Sequence, residues 1–136
     1  MISKTKIIAR YQETDQMGII HHSVYPIWFE EARTNFIKEM GISYSEIEKM
    51  GIMLPLSKLN CKYIKPALYE DILTIHTTIK NLTNVKIEFE YKVFKNDILI
   101  NIGETQHPFV DKNFNLINLK KFNSKIFNLI SSALEN

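Results

Sequence analysis

From Val85 to Val93 the chain alternates apolar and charged side chains without a break: Val-Lys-Ile-Glu-Phe-Glu-Tyr-Lys-Val. A period of two sends the two sets to opposite faces of a strand, so any sheet built on this segment has one packed face and one wet face. Neighbouring runs read as further strands, giving four over about 55–65, 71–81, 84–95 and 98–110, with Lys95-Asn96-Asp97 as a short hairpin connection. The gaps between them are too short for the crossover of a dozen residues that parallel strands need, so the four are expected to pair antiparallel. Residues 4–12 alternate as well, with Ile7, Ala9 and Tyr11 on one side and Lys4, Lys6 and Arg10 on the other, as a first strand would. Between that strand and the rest, Tyr25, Trp28, Phe29, Ala32, Phe36 and Met40 recur at helical spacing and predict one long helix from about 23 to 40, ended by Gly41. Ser23 is suited to cap it, and Pro26 is tolerated there because it falls in the first turn. Ser43 and Glu46 form a capping box for a short helix over 43–49. Residues 119–134 repeat apolar side chains at helical spacing and predict a C-terminal helix docked on the sheet or on a partner subunit. The implied class is α+β: a five-stranded antiparallel sheet curled around one long helix, a single domain over residues 1–136.

Composition narrows the function classes. Hydrophobic residues make up 45% and charged residues 24%, which suits a packed globular domain and argues against disorder. The net charge of +2 is the small difference of 17 basic and 15 acidic side chains and gives no reason to propose a nucleic-acid partner. No apolar run approaches the roughly 20 residues that span a bilayer, and Met1-Ile2-Ser3-Lys4-Thr5-Lys6 lacks the apolar stretch of a signal peptide. A cytoplasmic protein with no membrane insertion is therefore expected. A single cysteine, Cys61, excludes an intramolecular disulfide, and with Leu59 and Tyr63 on its side of a strand it reads as a small buried hydrophobe.

The chemistry concentrates in Thr14-Asp15-Gln16-Met17-Gly18-Ile19-Ile20-His21-His22, which runs into the long helix. A helix start leaves unpaired N–H groups and a partial positive charge, an environment that suits an oxyanion. His22, possessing one such N–H, and Ser23 beside it would present backbone donors to a thioester or ester carbonyl. Gly18 lets the backbone turn tightly and approach a ligand closely. Asp15, on the other side of that turn, becomes a candidate nucleophile or general base for the same carbonyl. The adjacent His21 and His22 do not have the spacing of a metal site, and no metal is expected. His76 and His107 lie in strands without a partner motif and are expected to be structural.

Together these residues resemble the hot-dog-fold acyl-CoA thioesterases of the 4-hydroxybenzoyl-CoA thioesterase type, most closely the bacterial Tol-Pal-associated branch. The resemblance is carried by Tyr11 four residues before Asp15, by the Asp-x-x-Gly-x-x-x-His run from Asp15 to His22, and by Glu30 to Thr34 on the helix. Lys62-Tyr63-Ile64-Lys65-Pro66-Ala67 followed by Asp71 agrees with the family's second strand and turn. It covers about residues 5–115 and departs at Gln16-Met17 and His21, which bears on pocket shape.

The resemblance implies hydrolysis of an acyl-CoA thioester to a carboxylic acid and free CoA. Asp15 would act as nucleophile or base, the N–H of His22 as the oxyanion donor, and the side chains of His22 and Tyr11 would orient the reactants. Glu30 or Glu31 ranks second as the base, because related enzymes carry their carboxylate on the helix. By analogy Lys80, Asn84 and Lys86 would meet the nucleotide end of CoA. No cofactor is implied beyond the coenzyme A of the substrate. The expected partner is a second copy of the chain, in a dimer or tetramer with shared active sites. The loop from Gln16 to Ile20 and the segment from Met50 to Leu56 are expected to shape the acyl pocket. Two other readings are a hot-dog hydratase or dehydratase, and a non-catalytic acyl-binding or scaffold protein.

Overall fold

The computed structural model describes residues 1–134. Its strands β1 (Ser3–Ile8), β2 (Lys58–Tyr63), β3 (Ile72–Leu82), β4 (Lys86–Lys95) and β5 (Ile98–Pro108) form one antiparallel sheet in the order β1-β3-β4-β5-β2. The long helix α1 (Tyr25–Glu39) packs on its inner face. In β4 the inner side chains Ile87, Phe89, Tyr91 and Val93 are buried, while Lys86, Glu88, Glu90 and Lys92 face outward, as the alternation requires. The β4–β5 hairpin turns at Asn96 and Asp97, both in the left-handed region (φ 49° and 66°) that a two-residue hairpin demands.

Phe29 fixes how closely helix and sheet approach. Its ring is fully buried, stacks on Tyr91 with centroids 4.5 Å apart, and lies against Gly103 of β5, where a Cβ would overlap it. Tyr25, Trp28, Ala32, Phe36 and Ile37 complete the buried face of α1.

The short helix α2 (Tyr44–Lys49) carries the predicted capping box, with Ser43 Oγ accepting from Glu46 N at 3.2 Å and Glu46 Oε1 accepting from Ser43 N at 3.1 Å. Three boundaries differ from the sequence reading. The first strand stops at Ile8 because Tyr11–Glu13 coils into a 3-10 turn, which carries Tyr11 to the surface. The long helix is entered through a 3-10 turn, His22–Val24, capped by His21 rather than Ser23. The C-terminal helix is broken at Asn123 into α3 (Leu119–Phe122) and α4 (Ser124–Leu134), with Asn123 Oδ1 accepting from Ile126 N at 3.1 Å. α4 packs against β3, and the Met1 ammonium donates to Ala133 O at 2.9 Å. No described helix is long and apolar enough to cross a membrane.

A chain of polar groups crosses the core. His107 is 1% exposed; its Nδ1 lies 3.2 Å from Leu54 O, and its Nε2 lies 2.8 Å from Thr105 Oγ1. Because a carbonyl only accepts, Nδ1 carries the hydrogen and Nε2 accepts from Thr105. Thr105 Oγ1 then accepts from Tyr91 Oη at 2.6 Å, and the Arg33 guanidinium of α1 lies near the Tyr91 hydroxyl, where its charge offsets part of the rise in pKa that burial causes. Every proton points one way, from Tyr91 to Leu54 O.

Burial, reinforced by the nearby Arg33 charge, pushes the His107 pKa down to about 4. An unfolded imidazole takes its proton near pH 6.5. Protonation therefore favours the unfolded chain, and this part of the stability is complete above pH 6.5 and lost as pH falls toward 4. The loss approaches about 1.4 kcal/mol per pH unit within that window. Melting of wild type and His107→Gln between pH 7 and 4.5 should show the steeper decline in wild type; parallel curves would mean that His107 is not held neutral.

Candidate active site

The segment between β1 and α1 is built by local hydrogen bonds. Glu13, 6% exposed, folds its carboxylate back onto Arg10 N at 2.8 Å and also accepts from Trp28 Nε1 of α1 at 3.0 Å. Its backbone carbonyl accepts from His21 N at 2.9 Å. One residue thus ties the start of the segment, its end and the helix together. Between these anchors Thr14 bridges Ile20, Asp15 N donates to Ile19 O at 2.8 Å, and Gly18 N donates to Asp15 O at 3.0 Å. The turn closes because Gly18 adopts φ 83°, a conformation that strains other residues.

Asp15 is half-buried. Its Oδ1 accepts from Met17 N at 2.8 Å and from Ile19 N at 3.4 Å, which orients the carboxylate within its own loop. Its Oδ2 takes no hydrogen bond among the described residues. The side chain borders a cavity of about 330 Å³ together with Met17, Ile19, His22, Tyr25 and Tyr63. The walls are mostly apolar, so a charge developing inside would meet few competing dipoles.

His22 begins the 3-10 turn that leads into α1, and its backbone N–H has no acceptor among the described residues. Its carbonyl accepts from Tyr63 Oη at 2.7 Å, so the end of β2 pins the start of the helix. Tyr25 is buried beside Tyr63, ring edge to face at 5.3 Å, and burial raises its pKa to about 12. Its phenol is therefore a neutral hydroxyl at physiological pH. Cys61 donates its thiol hydrogen to the buried Asn101 Oδ1 at 3.4 Å.

The structure brings Asp15, Gly18's turn and His22 together, but not the other predicted residues. Ser23 does not offer its N–H: that group donates to His21 Nδ1 at 3.2 Å, because the turn starts one residue earlier than Ser23 capping would require. Tyr11 is 75% exposed and packs edge-on against Tyr69 at 5.5 Å, away from the cavity; its carbonyl, accepting from Thr14, is what serves the loop. Glu30 and Glu31 do not border this cavity either. Lys80 and Lys86 project from the outer face, where Lys80 pairs with Glu104 at 2.7 Å and Lys86 lies 3.4 Å from Glu88. Lys80 shares a hollow of about 170 Å³ with Lys58 and Asn60. Asn84 lies in the β3–β4 turn, its carbonyl accepting from Leu119 N at 2.7 Å. Within one chain this surface and the Asp15 cavity lie on different faces. Glu13 and Tyr63 were not singled out as site residues from the sequence; the Arg10-x-x-Glu13 spacing is a weak capping signal, and Tyr63 meets His22 from 41 residues away. Among the described residues no three His, Cys, Asp or Glu side chains gather as a metal site would need.

Comparison with known proteins gives concordant matches. Residues 17–100 match the model of the thioesterase superfamily. The Bacillus subtilis protein YneP, described provisionally as an acyl-CoA thioesterase, is 38% identical over 112 residues, 82% of this chain and 81% of its own. An acyl-CoA thioester hydrolase of Escherichia coli, YbgC, is 26% identical over 74% of this chain and 76% of its own. Among solved structures, the DHNA-CoA thioesterase from Staphylococcus aureus superposes with a TM-score of 0.92 at 32% identity, covering 96% of this chain and 89% of that one.

Proposed function

Because the chain belongs to the thioesterase superfamily and is a thioester hydrolase of hot-dog fold, we propose that it hydrolyses an acyl-CoA with Asp15 as the reacting carboxylate. One observation carries the assignment: a carboxylate with an unengaged oxygen and a helix-start N–H without an acceptor belong to residues that border the same cavity. A thioester carbonyl placed between them would be polarised by the His22 N–H. Asp15 then attacks it, giving a mixed anhydride, or activates water to do so. CoA leaves as a thiolate, which needs no strong general acid because thiols ionise near pKa 8.5. The N–H groups of Met17 and Ile19 take the orienting role that the sequence had offered to Tyr11. Tyr63 holds the donor peptide through the His22 carbonyl.

The nucleotide end of CoA would lie on the outer face at Lys80, Asn84 and Lys86, where cations suit its phosphates. That surface reaches an Asp15 cavity if β2 pairs with β2 of a second copy. β2 is an edge strand with its far side unpaired and with Leu59 and Tyr63 exposed at 41% and 49%. An antiparallel pair about a two-fold axis sets the Tyr63 end of one strand beside the Lys58 end of the other. Lys58 borders the same hollow as Lys80. The proposed active unit is thus a dimer, alone or within a tetramer.

A spectrophotometric assay with a thiol reagent and acyl-CoAs from short to long, DHNA-CoA among them, should detect CoA release; no turnover of any would refute the reading. Asp15→Asn should lower kcat by at least about a hundredfold while circular dichroism and melting stay near wild type. Retention of more than a tenth of the rate would remove Asp15 from the chemistry.

His22→Ala should keep measurable turnover, since it preserves the backbone donor, whereas His22→Pro deletes that N–H and should cost a further 10²–10³ or so in rate. Equal rates in two folded variants would contradict a main-chain oxyanion site.

Light scattering at micromolar concentration should report twice or four times the 16.0 kDa chain mass. A monomer that is fully active on dilution would exclude the shared site.

A further inference from the structure

A second cavity, of about 310 Å³, lies beside α1 and is distinct in its lining from the Asp15 cavity. Ile37, Leu54 and Phe89 supply apolar walls, Arg33 a cation, and Glu30 a carboxylate. Arg33 lies near the buried Tyr91 hydroxyl, the start of the one-way hydrogen-bond chain through Thr105 and His107. Its side chain is 19% exposed, yet its carboxylate partner is distant: Glu30 Oε2 lies 3.9 Å away on a side chain that is 74% exposed. That separation is beyond a hydrogen bond, and an exposed pair of this kind contributes little. A guanidinium has five donors in a planar fork. Here a largely desolvated cation borders a cavity of mixed polar and apolar lining, without a close counter-anion. Such a fork matches a carboxylate two bonds at a time.

We propose that this cavity binds an organic acid, its carboxylate on Arg33 and its apolar body against Ile37, Leu54 and Phe89. The binding itself stands on the geometry; the source of the acid rests on the thioester hydrolase reading. Two sources share this chemistry: the carboxylic acid that hydrolysis releases, and an acyl group that carries a second carboxylate at its far end.

Calorimetry with benzoate and benzamide as probes, on wild type, Arg33→Met and Glu30→Gln, tests the site. Benzoate should bind wild type more tightly than benzamide by about tenfold or more, the typical value of a charge-assisted hydrogen bond. Arg33→Met should lose that difference. Glu30→Gln should bind benzoate more tightly than wild type, because the negative charge that Glu30 adds to the cavity lining is gone, and a damaged fold cannot produce that gain. Absence of benzoate binding to wild type, or equal binding by all three proteins, overturns the proposal.

Turnover of adipoyl-CoA against hexanoyl-CoA separates the sources. If Arg33→Met lowers kcat/KM for adipoyl-CoA alone, the acid is the far end of the substrate. If it leaves that ratio unchanged and raises the benzoate inhibition constant, the acid is the released product. Should no acyl-CoA be turned over while the benzoate pattern holds, the hydrolase reading fails and the site stands.

Discussion

The contact of Phe29 with Gly103 sets the geometry of the whole molecule. A helix normally stands off a sheet by the depth of two side-chain layers; here one layer is missing, because β5 offers only a hydrogen where the ring lies. The ring lies flat on Tyr91, so one side chain of α1 spans to both β4 and β5. The same helix also packs on β1 and β3. Once α1 is seated at that depth, the two ends of its functional surface are fixed as well. Its start lies within reach of Tyr63, and its middle sets Arg33 on Tyr91.

Polar groups do the finer positioning, and each is satisfied from a distant part of the chain. Glu13 joins the Asp15 loop to Trp28; Tyr63 joins β2 to His22; Asn35 Nδ2 reaches Thr5 Oγ1 at 3.0 Å and ties α1 to β1. A buried polar group such as the Glu13 carboxylate costs stability if left unpaired, so its pairing also selects one arrangement of the elements over alternatives of similar hydrophobic burial. The exceptions are few among the described residues: Thr77 Oγ1 and Asn101 Nδ2 are buried without a partner. Asn101 lies directly across from Tyr63 in the β2–β5 ladder, on the strand next to the edge strand β2.

The candidate site divides along the same line between what is near in sequence and what is not. Asp15, Gly18 and His22 were legible because the loop that relates them is closed by hydrogen bonds spanning eight residues or fewer, and glycine marks its turn. Ser23 illustrates the limit of that reasoning. It has the right chemistry for a cap, but His21 is pinned by Glu13 and starts the coil first. Tyr11 shows the same limit from another side: strand alternation placed it with Ile7 and Ala9, and the 3-10 turn after Ala9 broke the alternation before it reached position 11. Nothing around Arg33 in the sequence distinguishes it from a solvated helix cation. Its partners lie on β4 and β5.

The sequence by itself determined the element types, their order and the one-sided burial of the sheet. Period-two and helical patterns are local, and the short connections leave antiparallel pairing as the sole option; β4 and the α2 capping box match the pattern residue by residue. Tertiary structure alone decided the strand order β1-β3-β4-β5-β2, which leaves β2 at an edge, and the break of the last helix at Asn123. It also decided which polar side chains face the two cavities. These depend on long-range complementarity, of Phe29 with a missing Cβ, of Tyr63 with a carbonyl and of Arg33 with a buried phenol. Such contacts draw their energy from packing and from the cost of an unpaired buried group, quantities that exist only once distant segments meet.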